Sequence, residues 1–302
     1  MRPDICIYHG NCADGFTSAW AVWKLYGDAV KYVPGVYGQE PPDVTGKNVL
    51  MVDFSYKRPV LEKMGHAALT ITILDHHKTA AEDLKPFTVE HLEPLDTLKE
   101  TTDFMAALPI QALFDMSKSG AMLTWEYCFP NEPAPKIVQY VQDRDLWKFA
   151  LPSSREFAAY LFSFGYEFDE WNEVAEAIEH PASFTHCVAG GMAIERKHHK
   201  DIAELLAIAT REMVIGGHRV KVANLPYTMS SDAANKLALG QPFGACYFDR
   251  SDARIFSLRS TPDGLDVADI AATYGGGGHA RASGFQVPIG WEGDPSAISQ
   301  KN

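Results

Sequence analysis

The sequence predicts an α/β protein in two parts, a parallel-sheet domain joined by a helix to a smaller mixed α/β domain. Three observations predict it. Short apolar runs alternate with stretches of helical spacing through the first half, the order expected of a parallel sheet covered by helices. The early runs stop at histidines and aspartates. Near the end, the glycine run Gly275–Gly278 follows a group of strand-like segments. A chain of 302 residues is long enough to bury two cores.

The elements follow in order. Asp4–Tyr8, "DICIY", reads as a buried strand and runs into "HGNCADG". Phe16–Tyr26 has apolar residues at helical spacing. "KYVPGVY" is a second extended run; Asn48–Val52 is a third and ends at Asp53. Leu69–Leu74 is a fourth and ends at Asp75, His76 and His77. "KSGAMLTWEY" starts a helix with Ser119 as its N-cap. "KIVQYVQDRDLW" makes a helix that ends near Asp143-Arg144-Asp145. Ala193–Met213 has helical spacing at Ile194, Ile202, Leu205, Leu206 and Ala209 and reads as the linking helix. Its His198-His199 pair reads as a solvated face. "HRVKVANLP", "FGACYFD" and "ARIFSLRS" are strands of the second domain. The predicted boundaries are 1–192, 193–213 and 214–302.

Charge narrows the function classes. The net charge is −12, and the first 212 residues hold 19 of the 27 basic and 31 of the 39 acidic residues. An acidic body repels a long polyanion, so a nucleic-acid partner is expected to be short or gripped locally. No apolar stretch approaches the roughly 18 residues of a membrane span, and "MRPDICIYHG" lacks a signal peptide's apolar core. Five cysteines without CxxC spacing read as reduced thiols of a cytoplasmic protein.

The strand ends carry the chemistry. In parallel α/β sheets ligands sit outside the carboxyl ends of the strands. Three ends deliver His9 and Asp14, then Asp53, then Asp75, His76 and His77. Neighbouring strands lie about 4.8 Å apart, so these groups converge on the space of one or two ions. Asp and His together suit Mn²⁺, Mg²⁺, Fe²⁺ or Zn²⁺, and clustered carboxylates without cations repel. A lone Asp after a strand is a turn former and a lone His is a surface residue; three such ends together outweigh that reading.

These motifs resemble those of the DHH phosphoesterase superfamily. "YHGNCADG", "VDF", "LDHH" and "VQDRD" match its four motifs in order, and "YGGGGHARASGF" resembles the glycine-rich motif of the accompanying DHHA1 domain. "ARIFSLRS" is similar to the strand before that motif. The resemblance covers nearly the whole chain. It implies a Mn²⁺-dependent phosphoesterase with two metal positions, Mg²⁺ being the alternative ion. His9, Asp14, Asp53, His76 and Asp143 would be metal ligands, with Asp53 bridging and Asp145 the rival of Asp143. Asp75 would orient the site and His77 would face the phosphate. Arg259, Gly277, Gly278 and His279 would contact substrate, with Arg281 and Ser283 as neighbours, and the second domain would fold over the metal edge.

One departure stands out. Many members of the family have Asp-x-Asp in the first motif; here the pair is Cys12 and Asp14, as in a Cys-x-Asp branch. A thiolate ligand, substitution by Asn11, a packed thiol and a weak metal position are the alternatives. The implied function is hydrolysis of short oligonucleotides or single-stranded nucleic acid from an end. The alternative is a small nucleotide, such as adenosine 3′,5′-bisphosphate or a cyclic or linear dinucleotide. Pyrophosphate or polyphosphate hydrolysis and a non-catalytic nucleotide sensor rank lower. The implied partners are short RNA, single-stranded DNA or a small nucleotide, with no membrane, and a homodimer is allowed. Phe164, Tyr166, Trp171 and Tyr227 could stack bases, but core packing is favoured for them.

Overall fold

The computed structural model describes residues 2–92 and 108–295, and the chain divides into two units, Met1–Glu195 and Arg196–Asn302. The first unit is built on a five-stranded sheet. Its strands are β1 (Ile5–His9), β2 (Lys31–Gly35), β3 (Asn48–Val52), β4 (Thr70–Asp75) and β5 (Ile110–Phe114). They lie in the order β2-β1-β3-β4-β5, and every pairing is parallel.

A parallel sheet needs cover on both faces, and alternation along the strands supplies it. Ile5, Ile7, Val49, Met51, Ile71 and Ile73 pack with Leu61 and Met64. Cys6, Leu50, Val52 and Leu74 pack with Val22 and Cys128 on the other face. The helices are α1 (Ala13–Tyr26), α2 (Arg58–Ala67), α3 (Lys78–Asp83) and α4 (Gly120–Cys128), then α5 (Lys136–Asp145), α6 (Ser154–Leu161) and α7 (Phe168–Glu179). A third cluster joins Phe16, Trp20, Trp125, Val138, Phe157 and Trp171 from α1 and α4–α7. Trp171 is fully buried and Phe164 packs against this cluster, as the core reading expects, whereas Tyr166 and Tyr227 are exposed.

Register aligns the strand ends. Tyr8 pairs with Val52 and Val52 with Leu74. The next residue on each strand, His9, Asp53 and Asp75, therefore falls in one row at the carboxyl edge. Strand order reverses between β1 and β3, with β2 on one side and β3–β5 on the other. Such a switch point opens a crevice in a doubly wound sheet.

Helix α8 (Pro181–Ala209) carries the chain from one unit into the other. It starts earlier than residue 193 and stops before residue 213. Thr210–Met213 instead open strand β6 (Thr210–Ile215), which pairs antiparallel with β7 (His218–Asn224) across the turn at Gly216-Gly217. Pairing with a neighbouring strand overrides the local helical spacing there.

The second unit holds a mixed six-stranded sheet in the order β10-β11-β9-β8-β7-β6. Its other strands are β8 (Gly244–Asp249), β9 (Arg254–Arg259), β10 (Gly277–His279) and β11 (Ala282–Val287), with helices α9 (Ser230–Ala238) and α10 (Val267–Ala272). Among the described residues of this sheet, only β7 and β8 pair in parallel. Ile202, Ala233, Ala234 and Leu237 pack with Ala223 and Cys246, while Val267 and Ala271 pack with Val220, Phe256 and Phe285. His198 does not sit on a solvated face. Its Nε2 lies 3.1 Å from Asp232 Oδ2 on α9, and His199 is also partly buried. The partner is remote in sequence, so helical spacing alone could not reveal it.

Candidate metal centre

Asp53 is the hinge of the first unit's site. It follows β3 directly, adopts a left-handed backbone with φ 55°, and donates its amide to Leu74 O at 2.9 Å. Aspartate tolerates that conformation better than bulkier residues do. The turn aims its carboxylate back across the sheet edge. Oδ1 lies 3.0 Å from His76 Nε2, and Oδ2 lies 3.5 Å from His9 Nδ1. Oδ2 is buried and makes no hydrogen bond. A buried carboxylate oxygen without a hydrogen bond is costly, unless a cation meets it.

Asp14 is held from a different direction. It lies in the first turn of α1, yet its carboxylate caps α4, accepting from Gly120 N at 2.6 Å and Ala121 N at 3.1 Å. Ser119 Oγ accepts from Met122 N in its expected N-cap role. Gly120 permits the approach, because a Cβ there would lie 2.3 Å from Asp53 Cβ and 2.7 Å from its Oδ1. Gly120 and Ser55 are site residues that the motif reading missed. Their sequence signals were faint: a glycine after an N-cap serine, and a serine two positions past Asp53.

Asp75 is engaged by the two histidines that follow it and by Ser55. It is fully buried. Oδ1 accepts from His76 N at 2.7 Å and His77 N at 3.2 Å and lies 2.7 Å from His77 Nδ1; Oδ2 accepts from Ser55 Oγ at 2.9 Å. A carboxylate on one imidazole nitrogen sets the tautomer and the orientation of the ring. Burial opposes the charge on Asp75, but His77 outweighs it and holds its pKa below the usual range.

The fourth motif requires a correction. Asp143 spends its carboxylate on the chain, accepting from Ala150 N at 2.9 Å and Leu151 N at 3.2 Å. It pins the turn after α5. Asp145 is the one that faces the centre, its Oδ2 3.7 Å from His76 Nε2. Asp14 Oδ2 lies 3.6 Å from the same nitrogen. Three carboxylates thus surround one imidazole nitrogen.

The electrostatics follow from that crowding. Burial opposes a charge on His76, but Asp53, Asp145 and Asp14 prevail and raise its pKa to about 11. Burial also opposes the charge on Asp53, yet His76 and His9 hold its pKa below the usual range. Asp14 is pushed well up, by burial first and then by Asp53 and Asp145; Asp145 is pushed up chiefly by burial. The imidazolium thereby occupies the electrostatic role of a cation among these acids.

Within the first unit, the ligand atoms of two sets lie within 4.8 Å of one another: Asp14, Asp53 and His76, and His9, Asp53 and His77. The aspartate–histidine donor sets and the orphaned Asp53 Oδ2 fit divalent ions. Cys12 stands at the N-cap of α1 beside His9, and burial pushes its thiol pKa up. It joins neither set. All five cysteines are free thiols. Tyr37, unremarked in the sequence, lies edge-on to His9 with ring centroids 5.6 Å apart and is 43% exposed.

In the second unit, register brings His279 and Arg259 together. Ala282 of β11 pairs with His279 on one side and Arg259 on the other. The Arg259 guanidinium donates to Ser231 Oγ at 2.7 Å and Leu258 O at 2.8 Å. The glycine run is not an open loop. Gly277 and Gly278 belong to β10, Gly278 has φ 137°, and a Cβ on Gly278 would lie 2.6 Å from Ala282 O. The neighbouring strand occupies the space that a side chain on Gly278 would need. Arg281 donates to the carbonyls of Pro262, Gly264 and Leu265, and Ser283 Oγ to His279 O, so both serve the local fold.

No family model matches the chain. The uncharacterized protein R106 of Acanthamoeba polyphaga mimivirus is 33% identical over 309 aligned residues, spanning 94% of this chain and 67% of that protein. Among solved structures, the DHH domain of PF0399 is similar at 15% identity and TM-score 0.49, covering 94% of this chain and 82% of that one. RecJ of Thermus thermophilus in complex with Mn²⁺ gives 15% identity and TM-score 0.45, covering 94% and 49%. The pGpG-specific phosphodiesterase PggH of Vibrio cholerae gives 11% and 0.39, covering 96% and 94%. At that distance only this chain's own residues speak to its chemistry. No described helix is long and apolar enough to cross a membrane.

Proposed function

We propose that this chain, which is in one family with the uncharacterized protein R106 of Acanthamoeba polyphaga mimivirus, is a metal-dependent phosphoesterase of the DHH type, cleaving short oligonucleotides or single-stranded nucleic acid from an end. The observation that carries this reading is Asp53. Its two carboxylate oxygens face two different histidines, and the buried Oδ2 has no hydrogen bond. That is the chemistry of a bridging ligand.

Asp14, Asp53, His76 and Asp145 would hold one divalent ion, with His9 and Asp53 contributing to a second; Mn²⁺ or Mg²⁺ suits the oxygen-rich set. Such ions supply Lewis acidity and lower the pKa of water at the site. The chain's own residues do the rest. Asp53 spans the two histidines and fixes their separation. The α4 amides hold Asp14 against rotation, and Asp75 fixes the His77 ring. Arg259 and His279 of the second unit would hold phosphate. The net charge of −12 supports a short substrate over a long polyanion. A small nucleotide is the second reading, favoured by the same acidity.

The test is hydrolysis by the metal-stripped chain with Mn²⁺ restored. Its panel is an RNA dinucleotide, a longer RNA, single-stranded DNA, adenosine 3′,5′-bisphosphate and pyrophosphate. Cleavage of the dinucleotide or of the strands from an end is expected only with metal. Metal binding without cleavage of any substrate would overturn the enzyme reading.

A further inference from the structure

The two ligand sets that share Asp53 differ in chemistry. The set of Asp14, Asp53 and His76 gains a further carboxylate from Asp145, whose Oδ2 is 3.7 Å from His76 Nε2. The set of His9, Asp53 and His77 has the shared carboxylate and two imidazoles. The first motif adds no acid there, since its residue at this place is Cys12, which belongs to no compact ligand set among the described residues.

We propose that the centre is asymmetric, with His77 acting as a metal ligand that completes a second, imidazole-rich position with His9 and Asp53. The inference rests on the metal-centre reading above and deepens it. That position favours a nitrogen-preferring divalent ion, such as Co²⁺ or Zn²⁺, over Mn²⁺ or Mg²⁺.

Three features support His77 in this role. Its Nδ1 is 2.7 Å from Asp75 Oδ1, and the ring offers one ligand atom to the compact set with His9 and Asp53. Carboxylate–histidine–metal relays of this kind fix the ring and raise its basicity. Asp75 is itself locked by Ser55 and two backbone amides, so the ring orientation is built in. The His9 and His77 rings meet edge to face with centroids 5.7 Å apart, close enough for both to reach one ion. The metal preference follows from the donors. Imidazole suits zinc and the later first-row ions, and carboxylate suits manganese and magnesium.

The experiment is equilibrium dialysis of the chelator-stripped full chain against Mn²⁺ and then Co²⁺. Bound metal is counted, and the visible cobalt spectrum is recorded. The wild type is expected to take one Mn²⁺ tightly and then one Co²⁺ without losing the Mn²⁺. His77→Gln is expected to weaken the Co²⁺ step by about 10–100-fold or more and to alter its spectrum. It should keep the Mn²⁺ equivalent, which shows that the fold survives. Cys12→Ser is expected to change neither step, and Asp14→Asn to lose the Mn²⁺ step first. Unaltered Co²⁺ binding in His77→Gln, its loss in Cys12→Ser, or two equal Mn²⁺ sites in the wild type would each overturn the asymmetry. A wild-type chain that takes up no metal would instead overturn the metal-centre reading itself.

Discussion

The strand-end site of the first unit and the glycine hairpin of the second were both singled out by unusual residues, but they stand differently once packing is known. At the strand ends, hydrogen bonds to the fold account for Asp14 and Asp75 but not for Asp53. Asp53 Oδ2 is buried without a hydrogen bond, and three carboxylates crowd His76 Nε2. At the hairpin, packing accounts for much of the oddity. A Cβ on Gly276 would lie 2.1 Å from Gly284 O, Gly278 abuts Ala282, and Arg281 holds loop carbonyls. A buried carboxylate oxygen without a hydrogen bond is stronger evidence of a ligand than a glycine run, because strand packing demands glycines too.

The sharpest way to break this comparison is Asp53→Ala. Removing one member of a catalytic unit costs about a thousandfold or more in kcat, and here metal uptake should fall with it while circular dichroism is retained. Activity near wild type would end the bridging role. Asp75→Asn comes next. It keeps the shape but weakens the grip on His77, and metal affinity should drop by about 10–100-fold, read by titration with Mn²⁺ and Co²⁺. At the hairpin the expected effect is on stability. Gly278→Ala forces a side chain into a left-handed, crowded position and should cost about 1–3 kcal/mol, read by thermal melting. A neutral result would show that the hairpin has room and would favour substrate contact at Gly278.

Protonation gives a fourth comparison, confined to the metal-stripped chain. His76 has a folded pKa of about 11 against an ordinary 6.5. Its stabilising contribution is complete below pH 6.5 and is lost as pH rises through the folded value. The melting temperature should therefore fall between pH 7 and pH 11, and bound metal should flatten that fall by replacing the proton. An equally flat profile without metal would contradict the crowding around His76. The smallest effect is expected from Arg259→Ala. Losing one charge-assisted contact should raise KM by about tenfold, or roughly 1.5 kcal/mol, with little change in kcat; unchanged KM would remove Arg259 from the substrate site.

Much of the centre was legible because strand ends are local features. An apolar run that stops at Asp53, or at Asp75-His76-His77, already states which residues leave the sheet together. Parallel pairing then aligns them with little freedom. Ser119 was legible for the same reason, since an N-cap acts within its own turn. What stayed hidden depended on partners far along the chain. Asp14 reaches the α4 amides more than a hundred residues away, and His198 finds Asp232 on another helix.

By itself, then, the sequence determined the alternation of strand and helix, the polar residues at the carboxyl edge and the order of the motifs. Tertiary structure decided which members of those motifs face the centre. Asp143 and Asp145 show why. A helix turns about 100° per residue, so two positions apart they project on nearly opposite sides. Which side meets the metal edge depends on how α5 packs. The helix turns Asp143 toward the amides of Ala150 and Leu151 and leaves Asp145 toward His76.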